Sequence, residues 1–194
     1  MSANKKNFFE MLDVKSRRDF FKAAALAGIS GAALVSLSPS VSADDKENDV
    51  KILNIALGLE HQAIAAYKAG AGLLSGDVLN VAVKFLKQHE EHRDGLAATV
   101  KKLGGKPEEA KSSYDVAKIA EGVGVKELKA ATDVLKLAAK LEAQATSAYY
   151  GVLPKIADRN IAQVAASIMA DEAIHTALLR SALGEDPAPT AFVK

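Results

Sequence analysis

Two segments of this chain repeat one another and keep the phase of a helix while doing so. Leu59-Glu60-His61-Gln62-Ala63 is followed by Ala66-Tyr67, and Leu141-Glu142-Ala143-Gln144-Ala145 is followed by Ala148-Tyr149, at an offset of 82 residues. Further on, Phe85-x3-His89-x2-His92-x3-Leu96 matches Ile168-x3-Glu172-x2-His175-x3-Leu179 at an offset of 83. Scattered surface charges have no reason to keep this spacing, whereas a duplicated helical pair does. The repeat therefore predicts two similar halves, each of two helices, with the matched residues facing inward.

The inward stripes contain ionisable groups. Residues three or four apart share one face of a helix, so Glu172 and His175 fall in line with Ile161, Val164, Ile168, Leu179 and Leu183. Glu60 and Glu142 occupy the same kind of place, as do His89 and His92. An unpaired charge in a core is costly, so these six need partners. Taken alone, Glu172 and His175 are satisfied by pairing with each other. With both halves folded together, Glu60, His89, His92, Glu142, Glu172 and His175 reach one level of the core, where a metal ion is the natural partner. The chain has no Cys, which excludes disulfides, thiolate zinc sites and cysteine nucleophiles. Imidazole and carboxylate suit iron, manganese or zinc. Six such ligands are enough for two ions sharing carboxylates, or for one octahedral ion.

The rest of the chain reads as helix with few breaks. Ala, Leu, Lys and Glu favour helix, and no long alternating run points to a sheet. The first helix starts among Asp44, Asp45, Glu47 and Asp49, acids suited to the positive end of its dipole, and runs to about Lys68 with Leu53, Ala56, Glu60, Ile64 and Tyr67 inward. The second runs from near Asp77 to Gly104-Gly105. A connection follows to about Lys126, containing Pro107, Ser112, Ser113, Gly122 and Gly124 and room for a helical turn. The third helix carries Leu135, Ala138, Glu142, Tyr149 and Leu153 and is bent or ended by Pro154. Asp158 or Asn160 caps the fourth, which ends at Gly184. Short joins at the first and third connections and a long one between helices 2 and 3 make this an all-α chain, an antiparallel four-helix bundle with one long crossover.

The first 43 residues read as an address. Ser16-Arg17-Arg18-Asp19-Phe20-Phe21-Lys22 resembles a twin-arginine export signal, and Val41-Ser42-Ala43 resembles a small-residue cleavage site. The small-residue run from Ala23 to Leu37 is short and weakly apolar, which disfavours a permanent membrane span. Cleavage after Ala43 would leave 44–194 as the mature bundle domain. That resemblance implies the twin-arginine translocation machinery as a partner, a periplasmic destination, and export of an already folded chain. The 25 basic and 24 acidic residues of the whole chain become 19 and 21 once the leader's six and three are set aside. This balance gives no electrostatic case for nucleic acid.

With these residues in view, the mature chain resembles the ferritin-like, rubrerythrin-type di-iron carboxylate family over residues 46 to 184. That family draws a Glu from each of two helices and a Glu-x-x-His from each of the other two. Glu60 and Glu142 match the single glutamates, Glu172 with His175 matches one Glu-x-x-His, and His92 matches the histidine of the other. His89 departs from the pattern, standing where the second motif has its Glu. The resemblance also implies that Asp171 orients His92 and that Gln88, its counterpart, faces His175. Tyr67 and Tyr149, two turns beyond the glutamates, are placed to bond carboxylates, to supply an electron, or simply to fill the core. His61 lies about 100° around the helix from Glu60 and reads as a surface or interface histidine, which leaves room for a homodimer.

The implied function is a periplasmic metalloprotein that binds iron, or manganese, and oxidises Fe(II) or reduces peroxide as a di-metal oxidoreductase. The lack of Cys excludes a built-in thiolate-ligated iron donor, so peroxide reduction needs an external reductant. Two other readings compete: a metal-binding or storage protein without turnover, and a metal-free envelope stress or interaction bundle.

Overall fold

The computed structural model describes residues 42–193. Arg17, Arg18 and the rest of the expected export signal lie outside them, apart from Ser42 and Ala43 at its end. The described residues form five α-helices and no strand: α1 (Ala43–Gly70), α2 (Gly76–Lys102), α3 (Val116–Gly122), α4 (Ala131–Val152) and α5 (Arg159–Ala182). Four are long and build an antiparallel bundle, while α3 lies within the connection between α2 and α4. Helix α1 packs chiefly on α2, and α4 chiefly on α5. The bundle is therefore two hairpins joined by a crossover, as the loop lengths predict.

Local chemistry sets the ends. The Ser42 hydroxyl accepts the Asp45 amide at 3.1 Å while the Asp45 carboxylate accepts the Ser42 amide at 3.2 Å, a reciprocal capping box at the start of α1. Asp158 caps α5 by accepting the Asn160 amide at 2.7 Å. Helix α2 closes with the Gly105 amide bonded back to the Val100 carbonyl, and α5 with the Glu185 amide bonded to Arg180. Both closures turn on a left-handed glycine, Gly104 at φ +84° and Gly184 at φ +74°. Pro154 falls in a single 3₁₀ turn, Leu153–Lys155, that ends α4.

The crossover is sewn to α1. Asn54 donates to the Lys106 carbonyl at 3.0 Å and accepts the Glu108 amide at 2.8 Å, and His61 Nε2 lies 3.1 Å from the Glu108 carbonyl. His61 thus fixes a loop of its own chain. Helix α3 packs Ala120, with Val125 just beyond it, against Ala66 of α1 and Leu137 of α4.

Two expectations need correction. Val164 is 41% exposed, while Ala165 is buried in its place. The spacing Ile161, Ala165, Ile168, Glu172, His175, Leu179 keeps the helical phase, and Val164 is rotated off it by about 100°. Asp49 is fully buried and does more than face a helix dipole. Its two carboxylate oxygens accept the Ala157 amide at 2.9 Å and the Asp158 amide at 3.0 Å, pinning the α4–α5 turn to the first helix.

The interior has three layers along the bundle axis. One apolar cluster gathers Leu53, Leu57, Leu96, Val100, Tyr149 and Ile168, and a second gathers Tyr67, Phe85, Val134, Leu135 and Leu179. The ionisable side chains lie between them.

Candidate metal centre

Each long helix delivers its polar residues to this middle layer from the stripe that buries its apolar ones. Glu60 comes from α1, His89 and His92 from α2, Glu142 from α4, and Glu172 and His175 from α5. Five of the six are at most 2% exposed, and His92 is half-buried. The structure brings together all six residues singled out in the sequence.

The layer has two halves with Glu172 and His89 between them. Glu172 Oε1 faces His92 Nδ1 at 3.2 Å, and Glu60 Oε1 lies 3.8 Å from the same nitrogen. Glu172 Oε2 faces His175 Nδ1 at 3.4 Å, with Glu142 Oε2 3.5 Å from that nitrogen. His89 spans the halves. Its Nδ1 is 2.8 Å from Glu60 Oε2, and its Nε2 is 3.1 Å from Glu142 Oε1. A glutamate here could offer one oxygen to each half; the imidazole instead offers one nitrogen to each.

The outer contacts also cross between halves. Asp171 approaches His92 Nε2 at 3.5 Å, and Gln88 Oε1 accepts from His175 Nε2 at 3.1 Å. Tyr67 donates to Glu142, and Tyr149 donates to Glu60 at 3.0 Å. Of the roles open to these tyrosines in sequence, the hydrogen bond to a carboxylate is the one the geometry displays. The ring of Phe85 stacks on His175 at 4.0 Å between centroids. The alternation of a hydrophobic Phe85 with Ile168 in the repeat gave no sign of that contact.

The electrostatics follow from crowding. Burial disfavours the imidazolium of His89, but the Glu142 charge and hydrogen bonds to Glu142 and Glu60 outweigh it and raise its pKa to about 10. His92 is likewise opposed by burial and raised to about 11 by Asp171, Glu172 and Glu60. His175 moves up through Glu142 and Glu172 against the same burial cost. Burial would raise Glu60, yet His89 and His92 hold it below its ordinary value. Glu142 lies well below, its burial outweighed by Glu172, His89 and His175. Both tyrosines are pushed well above the usual phenol range, first by burial and then by the carboxylate each touches. Without a cation, protonated histidines supply the positive charge that these carboxylates require.

That arrangement still leaves atoms unserved. His92 Nδ1, His175 Nδ1, Glu142 Oε2 and both Glu172 oxygens are buried and make no well-formed hydrogen bond. Their charged neighbours stand 3.2–3.5 Å away as ion pairs, and buried polar atoms without a well-aligned hydrogen bond are unusual. These atoms fall into two sets that meet at Glu172: its Oε1 with His92 Nδ1, and its Oε2 with His175 Nδ1 and Glu142 Oε2. Two overlapping groups, Glu60–His89–His92–Glu172 and His89–Glu142–Glu172–His175, each bring their ligand atoms within 4.8 Å of one another. Ligands about 2.1 Å from an octahedral ion are separated by roughly 3–4 Å, so only small closing movements are needed. The donor set of imidazole nitrogen and carboxylate oxygen fits iron, manganese or zinc.

A four-helix bundle with a buried Glu/His layer supplied by all four long helices has the frame of the ferritin-like proteins. Residues 48–185 match the family model of the ferritin-like domain, and the chain belongs to that family. Among solved structures it is similar to a conserved hypothetical protein from Mycobacterium tuberculosis, at 22% identity and a TM-score of 0.64, covering 76% of this chain and 99% of that one. It is also similar to a Dps mutant from Listeria innocua, at 14% identity and a TM-score of 0.58, covering 72% and 96%. These two likenesses show the fold alone. No curated protein matches the chain.

Proposed function

We propose that this chain is an exported, rubrerythrin-like metalloprotein that binds iron at the two overlapping ligand groups and reacts with peroxide or oxidises Fe(II) there. The observation carrying this reading is that His92, His175, Glu142 and Glu172 have buried atoms with no well-formed hydrogen bond and all belong to the two ligand groups that share His89 and Glu172. When bound, iron would supply one-electron redox chemistry; manganese or zinc would fit the same donors.

The protein's own contribution is positional. Glu172 reaches both halves, His92 and His175 serve one half each, and Tyr67 and Tyr149 hold Glu142 and Glu60 by one oxygen apiece. Apolar clusters above and below close the layer along the bundle axis. Reducing peroxide to two waters takes two electrons and two protons. With no Cys in the chain, the reductant is a separate molecule. The twin-arginine resemblance at Arg17 and Arg18 supports a periplasmic destination in this reading and would let a folded, loaded bundle be exported.

One observation favours a metal-free bundle instead. His89 already bridges Glu60 and Glu142 through both ring nitrogens, so a proton can stand in for a cation. Quantifying metals in protein purified from its native compartment separates the two. About one to two equivalents of iron support the proposal; trace amounts of every transition metal in a folded sample overturn it. Glu60→Ala with Glu142→Ala gives the converse check: if metal is held, the variant should lose the rise in melting temperature that added metal gives the wild type, and if none is held neither protein should respond to metal.

A further inference from the structure

The repeated motif Leu-Glu-x-Gln-Ala contributes more than a ligand. Its glutamates enter the polar layer, but the Gln62–Ala63 and Gln144–Ala145 pairs point elsewhere. A cavity of about 180 Å³ lies against the layer, with Glu60, His89, Glu142 and Glu172 on its floor. Its walls are Leu59, Gln62 and Ala63 of α1 and Leu141, Gln144 and Ala145 of α4. Outside it is a second hollow of about 320 Å³ beneath α3, where Asp115 and Lys118 stand. Gln62, Leu141 and Gln144 line both spaces.

We propose that this α1–α4 seam is the access route to the centre, and that the Gln-Ala pairs of the repeat set its size limit. The inference rests on the metal-binding reading and names what the site admits. Liquid water occupies about 30 Å³ per molecule, so the inner cavity holds roughly six waters. Pockets for organic ligands run to roughly 300–1,000 Å³. The admitted class is a partly hydrated divalent ion or an inorganic molecule of a few atoms, such as peroxide. Alanine at 63 and 145 leaves the gap, where any longer side chain would close it. Gln144 is exposed and Gln62 half-buried, and the Gln62 amide donates to the Gly58 carbonyl at 3.2 Å, which holds it back along its own helix. The mouth carries no charge of its own, and the carboxylates lie beyond it.

The test is the rate at which the full-length, metal-free protein takes up Co(II), followed by its visible absorption in stopped flow. Ala145→Leu should slow uptake at least tenfold with the final stoichiometry unchanged. Gln144→Ala should speed it several-fold. Ala173→Leu, on exposed α5 surface away from the mouth, should load like the wild type. If the wild type loads and both mouth variants match its rate, the route is wrong while the metal reading stands. If the wild type takes up no Co(II), the metal reading falls and the route with it. Should Ala145→Leu fail to fold by circular dichroism, Gln144→Ala decides alone, and an unchanged rate overturns the proposal.

Discussion

The Tyr149 hydroxyl donates to Glu60 Oε1 across the bundle at 3.0 Å, and its repeat partner Tyr67 donates to Glu142 in return. Each tyrosine is rooted in one apolar cluster and reaches the polar layer of the opposite half. The two bonds lock the hairpins in register. A hydrogen bond to a charged acceptor contributes about 1.5–3 kcal/mol, and Phe preserves the ring packing. Tyr149→Phe and Tyr67→Phe should therefore each lower stability by about that amount in urea titration. Because the bonds lie in one network, the double variant should depart from the sum of the singles. Additive losses would show that the two halves do not communicate.

The raised histidines fix the sign of the pH response. His89 and His92 have folded values of about 10 and about 11 against an ordinary 6.5. Their contribution is complete below pH 6.5 and is lost as pH rises toward 10 and 11. Glu60 and Glu142 lie below their ordinary 4.5, so their contribution is present above that value and fades on acidification. The metal-free protein should be most stable near pH 5–6.5 and weaken steadily above it. Metal binding runs the opposite way, because ligation displaces protons from imidazole. Thermal melts and Co(II) titrations from pH 5.5 to 8.5 should give slopes of opposite sign.

The core positions at Leu53, Ala56, Ile64 and Ile168 were legible because helical periodicity and hydrophobicity agreed there. At Val164 they disagreed, and phase decided in favour of the smaller Ala165. The six site residues could be read because a duplicated pattern of buried charges has little structural reason to exist. What these residues do for one another could not be read. The placement of His89 between two glutamates depends on how the hairpins face, and the Asp49 contact joins residues more than a hundred positions apart. Helix α3 was legible only as room for a helical turn in the connection, since seven residues carry too few periods to fix its bounds. The α1–α4 mouth needed both helices in place before its small residues had meaning.

Gly70 marks a close approach between α1 and α4. A Cβ there would sit 2.5 Å from Val134 Cγ1, and the β-branched valine has little rotamer freedom to move aside. Gly70→Ala normally favours a helix by about 1 kcal/mol, but here the clash should reverse the sign. A net loss of about 1–3 kcal/mol is expected. Adding Val134→Ala should recover part of it, a coupling that a double-mutant cycle by denaturation will show. No coupling would mean that the helices separate freely at this level.

Asp49 ties two backbone amides at the α4–α5 turn. Asp49→Ala leaves both donors without a partner in a partly buried site, at about 1–3 kcal/mol each. A loss of about 2–6 kcal/mol should appear in urea titration. The turn sits at the apolar end of the bundle, so Co(II) stoichiometry should be unchanged. A change in metal content with little loss of stability would mean that Asp49 acts on the centre rather than on the turn.

His89→Glu puts a carboxylate back where the second Glu-x-x-His of the resembled pattern has one. In the metal-free protein the change removes a cation held by Glu60 and Glu142 and adds a fourth buried acid to three. Breaking a buried ion pair costs about 3–5 kcal/mol, so the variant should melt well below the wild type in the presence of a chelator. The loaded protein should behave differently. A glutamate can give one oxygen to each half, and the extra negative charge better balances two divalent ions. Two Co(II) per chain should then bind at least tenfold more tightly than in the wild type, and melting should return to or exceed the wild-type value. Calorimetric titration together with melts under chelator and under saturating Co(II) reads both effects. If the variant is destabilised equally with and without metal, His89 is a packed core residue and the resemblance to a two-metal centre fails at this position.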